Sequence, residues 1–545
     1  MELIFNLRAV SFEAADDAES DSAEHIDVRR HFVLYFVIII TPHPNLSGAG
    51  PLASTGIEST IMKSKHIYSI TFLFTILVSC SQTPSSSVTQ PIEEKQPIES
   101  LPIESTFPVP TSAQLKWQNS ELEMFVHFGM NTFTGTDRGT GKEDPKLFNP
   151  TALNAPQWVS IAKWLGFQYL ILTVKHHDGF CLWPSKYTDY SIKNSPYKNG
   201  SGDIVKEVST ACSAAGIKFG FYLSPWDRHD STYGTSFYNT YFCNQLVELL
   251  TNYGEIGEIW LDATNGETAD GKHQDYDWDR YYTLIKHFQP NALIAVMGPD
   301  IRWIGNERGL GNETEWCFQP AQLPQHNMSG TLVWWPSQCD VTIRNGWFYQ
   351  DGDVIKTAAQ LIDIYFKSIG RNSNLLLNVP PNRQGLISDA DIEQLSAWRS
   401  QLHDIFSKDL FLGSIISASN VRKDISDYSA TNCIDDNPAT FWTTEKNILT
   451  ADIIVTLPVM EKINIIKLEE AIAYGQRISS FDIYADQNSL WTKIASGTTV
   501  GRTRLIRFDP MTTSKIKISI TNSIASPTLT TISGYFNEQY FIPLP

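Results

Sequence analysis

The segment Glu258-Ile259-Trp260-Leu261-Asp262-Ala263 is a short apolar run that stops on a carboxylate. A strand buried on both faces reads as such a run, and in a parallel barrel its C-terminal end opens into the pocket. Three other segments end in the same manner. Met124 to Gly129 reaches His127, Tyr169 to Gly179 reaches His176, His177 and Asp178, and Lys218 to Asp227 reaches Trp226 and Asp227. Four such endings in chain order predict a polar ring at the mouth of a pocket.

The surrounding pattern agrees. Between 112 and 409, apolar runs alternate with segments of helical spacing: Trp158–Leu165, Ile204–Ala215, Phe237–Tyr253, Trp278–Phe288 and, after a last strand at Asn374–Val379, Asp389–Phe406. This rhythm predicts an α/β fold, a (β/α)8-like TIM barrel. From 410 to 545 the period changes to short alternating runs, Ala451–Leu457, Ile463–Glu469, Ser480–Ala485 and Ser514–Thr521. Separated by Gly, Asp, Asn and Pro, they predict an antiparallel β-sandwich.

The N-terminal region reads as processing rather than fold. Met62-Lys63-Ser64-Lys65-His66 is a basic stretch, followed by an apolar run, Ile67 to Leu77, too short to span a bilayer. Leu77-Val78-Ser79-Cys80 resembles a bacterial lipobox, so residues 62–80 are expected to be a lipoprotein signal with Cys80 as the lipidated residue. A signal cannot work deep inside a chain, so Met62 is the expected start and 1–61 an over-extended reading frame. Residues 81–111, rich in Ser, Thr and Pro, are expected to be a tether that holds the rest off the membrane. The expected location is the bacterial cell envelope, with the membrane touched through the lipid alone. A formal charge of −17 over 545 residues leaves no basic stripe for phosphates and argues against nucleic acid. The six cysteines after Cys80 fit no CxxC metal spacing.

Asp262 suits three roles: nucleophile, metal ligand, or cap of a following helix. Glycoside chemistry needs a second carboxyl to protonate the leaving oxygen. Glu307, between Gly305 and Gly309 in a loop bearing Arg302 and Trp303, is the candidate, with Trp303 expected to desolvate it. His127, His176 and His177 lack HxH or HExxH spacing, and neighbours on a strand point to opposite sides. Hydroxyl-binding imidazoles fit them better than zinc ligands do.

These motifs together resemble the α-L-fucosidases of glycoside hydrolase family 29: His127-Phe128-Gly129, Lys175-His176-His177-Asp178-Gly179-Phe180, Phe219-Gly220-Phe221-Tyr222 and Ile259-Trp260-Leu261-Asp262. The resemblance implies an exo-acting retaining enzyme with Asp262 as nucleophile and His127, His176, His177 and Tyr222 around the sugar. Arg302 to Glu307, Ser224 to Asp227 and Ile343 to Tyr349 are similar to the subfamily acting on α-1,3/1,4-linked fucose, which implies Glu307 as acid/base. Trp226, Asp227, Glu143, Arg302, Trp303 and Trp347 are then further expected sugar contacts. The loop 136–145 departs from that pattern, lacking a Glu-Trp near Gly139-Thr140. The C-terminal region resembles a discoidin, or coagulation factor 5/8 type C, module of jelly-roll type, through Cys433 to Trp442 and Arg477 to Tyr484. In such modules the turn Asp435, Asp436, Asn437, Thr440 is where a structural calcium is expected; catalysis itself is expected to need no cofactor. The implied partners are fucosylated oligosaccharides or glycoconjugates. Another exo-glycosidase on the same barrel, or a non-catalytic glycan-binding lipoprotein, are the alternative readings.

Overall fold

Local chemistry delimits the helices before any packing does. Asn154, Asp203, Asp277 and Ser388 each accept a hydrogen bond from a backbone N–H in the first turn of the helix they precede. Gly166 and Gly216 end two of these helices in the left-handed region. The computed structural model describes residues 107–538 apart from 269, 424 and 425. The expected extension 1–61, the signal 62–80 with Cys80, and residues 81–106 of the tether lie outside the described residues.

Eight parallel strands form the first sheet: β1 (Leu122–Val126), β2 (Tyr169–Lys175), β3 (Lys218–Leu223), β4 (Glu258–Leu261), β5 (Leu293–Val296), β6 (Arg302–Trp303), β7 (Ser337–Thr342) and β8 (Asn374–Asn378). Their order is β5-β4-β3-β2-β1-β8-β7-β6, and a parallel bridge from Ala295 to Ile301 brings β5 to the start of β6. The sheet is therefore a nearly closed barrel. Helices Ala155–Leu165, Ile204–Ala215, Ser236–Asn252 and Trp278–Phe288 follow the first four strands, and Ala358–Lys367 and Asp389–Phe406 follow the last two. The expected alternation fails in one place. Residues 297–301 link β5 to β6 directly, and a hairpin, Phe318–Pro320 with Leu332–Trp334, stands between β6 and β7. Gly298, Pro299, Gly305, Gly309, Gly311, Pro320, Pro324 and Gly330 fall in this stretch, and their spacing leaves no room for a stable helix.

The period-two geometry of a strand sorts the side chains. Phe125, Ile171, Tyr222, Trp260 and Leu376 pack together inside the barrel, whereas Met124, Val126, Ile259 and Leu261 join the core beneath the helices. Below the interior aromatics lies a polar floor. The Gln338 amide donates to Glu123 at 2.8 Å and to Glu258 at 2.9 Å, and Trp117 donates to Glu258 at 2.9 Å. Burial raises both glutamates, and the charge of Glu258 adds to the rise at Glu123.

The C-terminal region is antiparallel. Its larger sheet runs β9 (Ile415–Ala418), β10 (Ala451–Glu469), β13 (Arg504–Ser523), β11 (Ile478–Gln487), β12 (Leu490–Gly497), with β14 (Thr531–Tyr535) also on β10. The two runs expected at 451–457 and 463–469 are one strand, interrupted only by register irregularities after Thr456 and after Ile463. Trp442, Ile453, Ile483 and Ile518 sit in its core. All six described cysteines are free and buried. In the 435–440 turn, Asp435 accepts from Asn437 N and from the Thr440 hydroxyl, and Asn437 Oδ1 accepts from Ala439 N. Among the described residues no group of three or more His, Cys, Asp or Glu is arranged to hold a metal ion. Calcium takes 6–8 oxygens from carboxylates and backbone carbonyls; of the four residues expected to hold it, Asp435, Asn437 and Thr440 are engaged within the turn.

Gly220 has no space for a side chain: a Cβ there would lie 2.7 Å from the Glu258 carbonyl oxygen on the next strand. Gly220→Ala is expected to destabilise the protein by about 1–3 kcal/mol, read as a lowered urea midpoint with an unchanged slope.

Candidate active site

Asp262 stands immediately beyond β4. Its Oδ1 accepts from Thr264 N at 2.7 Å and its Oδ2 from the Tyr222 hydroxyl at 2.8 Å. The next helix begins at Trp278 and is capped by Asp277, so Asp262 is not a helix cap. The alternation Glu258, Trp260, Asp262 continues the inward face of the strand past its end.

The histidines around it are fixed as neutral acceptors. Asn378 Nδ2 donates to the Thr342 hydroxyl at 3.0 Å and to the Trp347 carbonyl at 2.8 Å. Its Oδ1 therefore faces His127 Nδ1, 2.9 Å away. The proton of His127 sits on Nδ1 and its Nε2 keeps a lone pair. The same logic applies to His177. Ser224 Oγ donates to the Trp226 carbonyl at 2.6 Å and so accepts from His177 Nδ1 at 2.8 Å. His177 Nε2, also a lone pair, faces Asp262 Oδ2 across 3.9 Å. Both atoms accept, so this edge of the cup offers hydrogen-bond acceptors to the hydroxyls of a ligand. Burial lowers His127 to about 3, against the smaller pulls of Asn378 and Asp262. It lowers His177 to about 4 despite Asp262, with Arg138 and Arg228 adding to the fall. His176, lowered well below its ordinary value by burial, stacks on Tyr222 at 5.4 Å, and its buried Nδ1 has no partner among the described residues.

Aromatic rings wall this cup. Trp347 lies 5.0 Å from the His127 ring and Trp226 lies 4.9 Å from His177. Gly266 is needed for that wall, since a Cβ there would come within 2.1 Å of the Trp226 ring. Trp303 meets Trp260 edge-on at 6.4 Å and donates to Asp340 Oδ1 at 2.7 Å. Burial raises the Asp340 carboxyl to about 7, and the charges of Glu307 and Asp262 add to this.

A cup of hydroxyl acceptors, aromatic walls and a carboxylate at a strand end is a sugar site in form. The α-L-fucosidase family model matches residues 111–402, and the F5/8 type C domain model matches 415–533. Alpha-L-fucosidase 1 of Arabidopsis thaliana is 41% identical over 483 residues, covering 86% of this chain and 93% of its own. The chain belongs to the α-L-fucosidase family. The crystal structure of SpGH29 is 36% identical with a TM-score of 0.75, covering 79% of this chain and 99% of its own. A Ruminococcus gnavus GH29 fucosidase solved in complex with fucose is 31% identical with a TM-score of 0.74, covering 80% of this chain and 96% of its own. This fucosidase is thus a glycoside hydrolase.

Several expected contacts of the fucosidase have other occupations. Asp227 is buried; Oδ2 pairs with Lys175 Nζ at 3.0 Å, and Oδ1 accepts from His229 N and Asp230 N at 2.9 Å each. It shapes the Trp226 loop. Glu143 accepts from Thr140, Lys142 and the Tyr190 hydroxyl, and so staples the 139–143 loop. Its pKa is lowered: these bonds outweigh the opposing effect of burial. Arg302 precedes Trp303 on β6 and points the other way, pairing with Glu315. Trp303 does not cover Glu307, which is exposed; its indole N–H serves Asp340. His176 and His177 lie past the end of β2 with rings 4.2 Å apart, so strand alternation does not separate them.

Sequence reasoning missed Asn378, Ser224 and Asp340. Asn378 carried a readable signal, because Leu375-Leu376-Leu377-Asn378 is one more apolar run ending on a polar group.

The lowered histidines set a sign for acid stability. Between pH 6.5 and about 4 the unfolded chain protonates His127 while the folded chain does not, so its share of stability is lost as pH falls. Wild type is expected to lose on the order of 3 kcal/mol relative to His127→Gln over that interval, measured by urea unfolding at each pH.

Proposed function

We propose that the fucosidase releases α-1,3/1,4-linked L-fucose by double displacement with retained configuration. The observation that carries the reading is the setting of Asp262. One carboxylate, oriented by Tyr222 and by the Thr264 amide, stands among neutral imidazoles that accept sugar hydroxyls and cannot themselves protonate a leaving group near neutrality.

In the first step an Asp262 oxygen bonds to the anomeric carbon as the glycosidic C–O bond breaks, and Glu307 gives its proton to the departing oxygen. In the second, Glu307 takes a proton from water, the water oxygen bonds to the anomeric carbon, and the Asp262 ester is released. No cofactor is needed, since the two carboxyls supply nucleophile and proton. His127, His176 and His177 receive the hydroxyls of fucose, and Trp226 and Trp347 take its apolar face. Glu307 holds a left-handed backbone, φ 51°, between Gly305 and Gly309. A non-glycine residue there stores about 1–3 kcal/mol of strain, a common mark of a functional group. The linkage assignment is supported by the likeness of residues 224–227, 302–307 and 343–349 to enzymes of that subfamily.

Residues 81–545 are expected to release fucose from Lewis a or Lewis x trisaccharide and not from 2′-fucosyllactose. Asp262→Ala should abolish release, and proton NMR should show the α-anomer as first product. Release from both sugars would end the linkage assignment, and a β-anomer would end the retaining mechanism.

The reading extends to placement: Met62 begins the chain, Cys80 is lipidated, and the enzyme is tethered in a bacterial envelope. Radiolabelled palmitate is expected to enter the protein expressed from Met62 and not its Cys80→Ala variant; label in both, or in neither, would refute the anchor.

A further inference from the structure

The barrel has no helix between β6 and β7, and the C-terminal sandwich stands there instead. Among the described residues, none from 304 to 336 is helical. The stretch that would need a helix's support is held from two sides: by Arg371 and Asn372 of the barrel, which bind Glu313 and the Glu315 carbonyl, and by sandwich side chains that hydrogen-bond its backbone. Glu315 N donates to Thr499 Oγ1 at 3.0 Å. Gln476 grips both sides of Trp316: its Nε2 donates to the Glu315 carbonyl at 2.9 Å, and its Oε1 accepts from Cys317 N at 2.7 Å. Thr498 and Arg504 donate to the Glu313 carbonyl, each at 2.8 Å. Gln476 and Thr499 are fully or almost fully buried, so these bonds are shielded from water and expensive to lose.

What this stretch carries is the site. Six residues before Glu313 is Glu307, and the loop between them is tied to the barrel by Gly309 N to the Asp340 carbonyl at 2.9 Å, by Gly311 N to the Lys367 carbonyl at 2.7 Å and by Arg371 Nη1 to the Gly311 carbonyl at 3.1 Å. Glu315 also binds the Arg302 guanidinium, and Arg302 adjoins Trp303, whose indole donates to Asp340. The sandwich, with Arg371 and Asn372 of the barrel, thus fixes the far end of the Glu307 loop and, through Glu315 and Arg302, the strand that presents Trp303.

We propose that Gln476 and Thr499 are positioning residues for the acid/base loop, so that the C-terminal module is part of the catalytic apparatus and not only an appended binding domain. The proposal rests on Glu307 being the acid/base. Its signature is selective. A displaced general acid slows cleavage of a sugar leaving group, which must be protonated, and spares fluoride, which need not be. A merely structural defect slows both alike.

The test measures kcat/KM for Lewis a trisaccharide and for α-L-fucosyl fluoride in residues 81–545, with Thr499→Val, Gln476→Ala and Glu307→Gln. Thr499→Val keeps the shape of the side chain and removes one bond, so it carries the test if Gln476→Ala does not fold. Glu307→Gln is expected to lose about 10²–10⁴-fold on the trisaccharide and little on the fluoride. The two sandwich variants are expected to lose about tenfold on the trisaccharide and under about threefold on the fluoride. Equal losses on both substrates, or no loss, beside a split in Glu307→Gln would overturn the positioning role alone. No split in Glu307→Gln would overturn the acid/base reading and the proposal with it.

Discussion

Everything above the floor of the barrel rests on two buried carboxyls that share their surroundings. Placing Glu123 and Glu258 together in a dry interior is prohibitive if both are charged, and tolerable when the pair retains a proton. The Gln338 amide spans them, and because its N–H groups are committed to the glutamates its oxygen is free to accept from Trp260 Nε1 at 2.9 Å. Trp260 stacks on Tyr222 at 5.5 Å, and Tyr222 holds Asp262. The nucleophile candidate is thereby oriented by a column of rings whose base is a pair of buried glutamates spanned by one amide. That column explains why a strand as short as β4 suffices: its two inward residues, Glu258 and Trp260, are floor and middle, and Asp262 just past its end is the site.

The second constraint is neutrality. A ring of three histidines near a carboxylate is an obvious place for positive charge, yet burial keeps the imidazoles uncharged, and an amide and a hydroxyl neighbour lock the tautomers of His127 and His177. Asn378 and Ser224 each have one acceptor-only carbonyl to satisfy, at Trp347 and Trp226 respectively. Those two carbonyls belong to the aromatic walls of the cup. Wall position and imidazole tautomer are therefore one property, set by the same hydrogen bonds.

The strand endings made the barrel, its pocket and Asp262 legible, because period-two burial and a terminal polar residue are local signals. The sandwich was legible for the same reason, though the exposed residues 458–460 within β10 made one strand look like two. What stayed hidden depended on partners remote in sequence. Asp227 follows a strand, four residues past its end, and nothing local reveals that Lys175 claims it from 52 residues away. Asn378 meets His127 across 251 residues. The Arg302 and Trp303 pair was half readable: alternation alone says that only one of two neighbours on a strand faces the pocket, and Trp303 is the one. The missing helices before β6 and β7 were also written locally, in the glycines and prolines of 298–336, but a regular rhythm on either side overrode them.

The two carboxyls assigned to catalysis sit on different kinds of support, and the chemistry asks for that difference. A nucleophile must approach one atom along one line, so it gains from a strand end braced by stacked rings. An acid/base must first face a departing sugar and then a water molecule, so it belongs on an exposed turn that solvent reaches. Glu307 lies on such a turn, flanked by Gly305 and Gly309 with both glycines at positive φ. A turn of this kind has little stiffness of its own. Its geometry has to be imposed at its two ends, at Asp340 on one side and in the 313–317 segment on the other. No helix of the barrel secures that second end; Arg371 and Asn372 share the task with the module that packs there, which gives a hydrolase reason to keep a sandwich domain whether or not that domain ever touches a glycan.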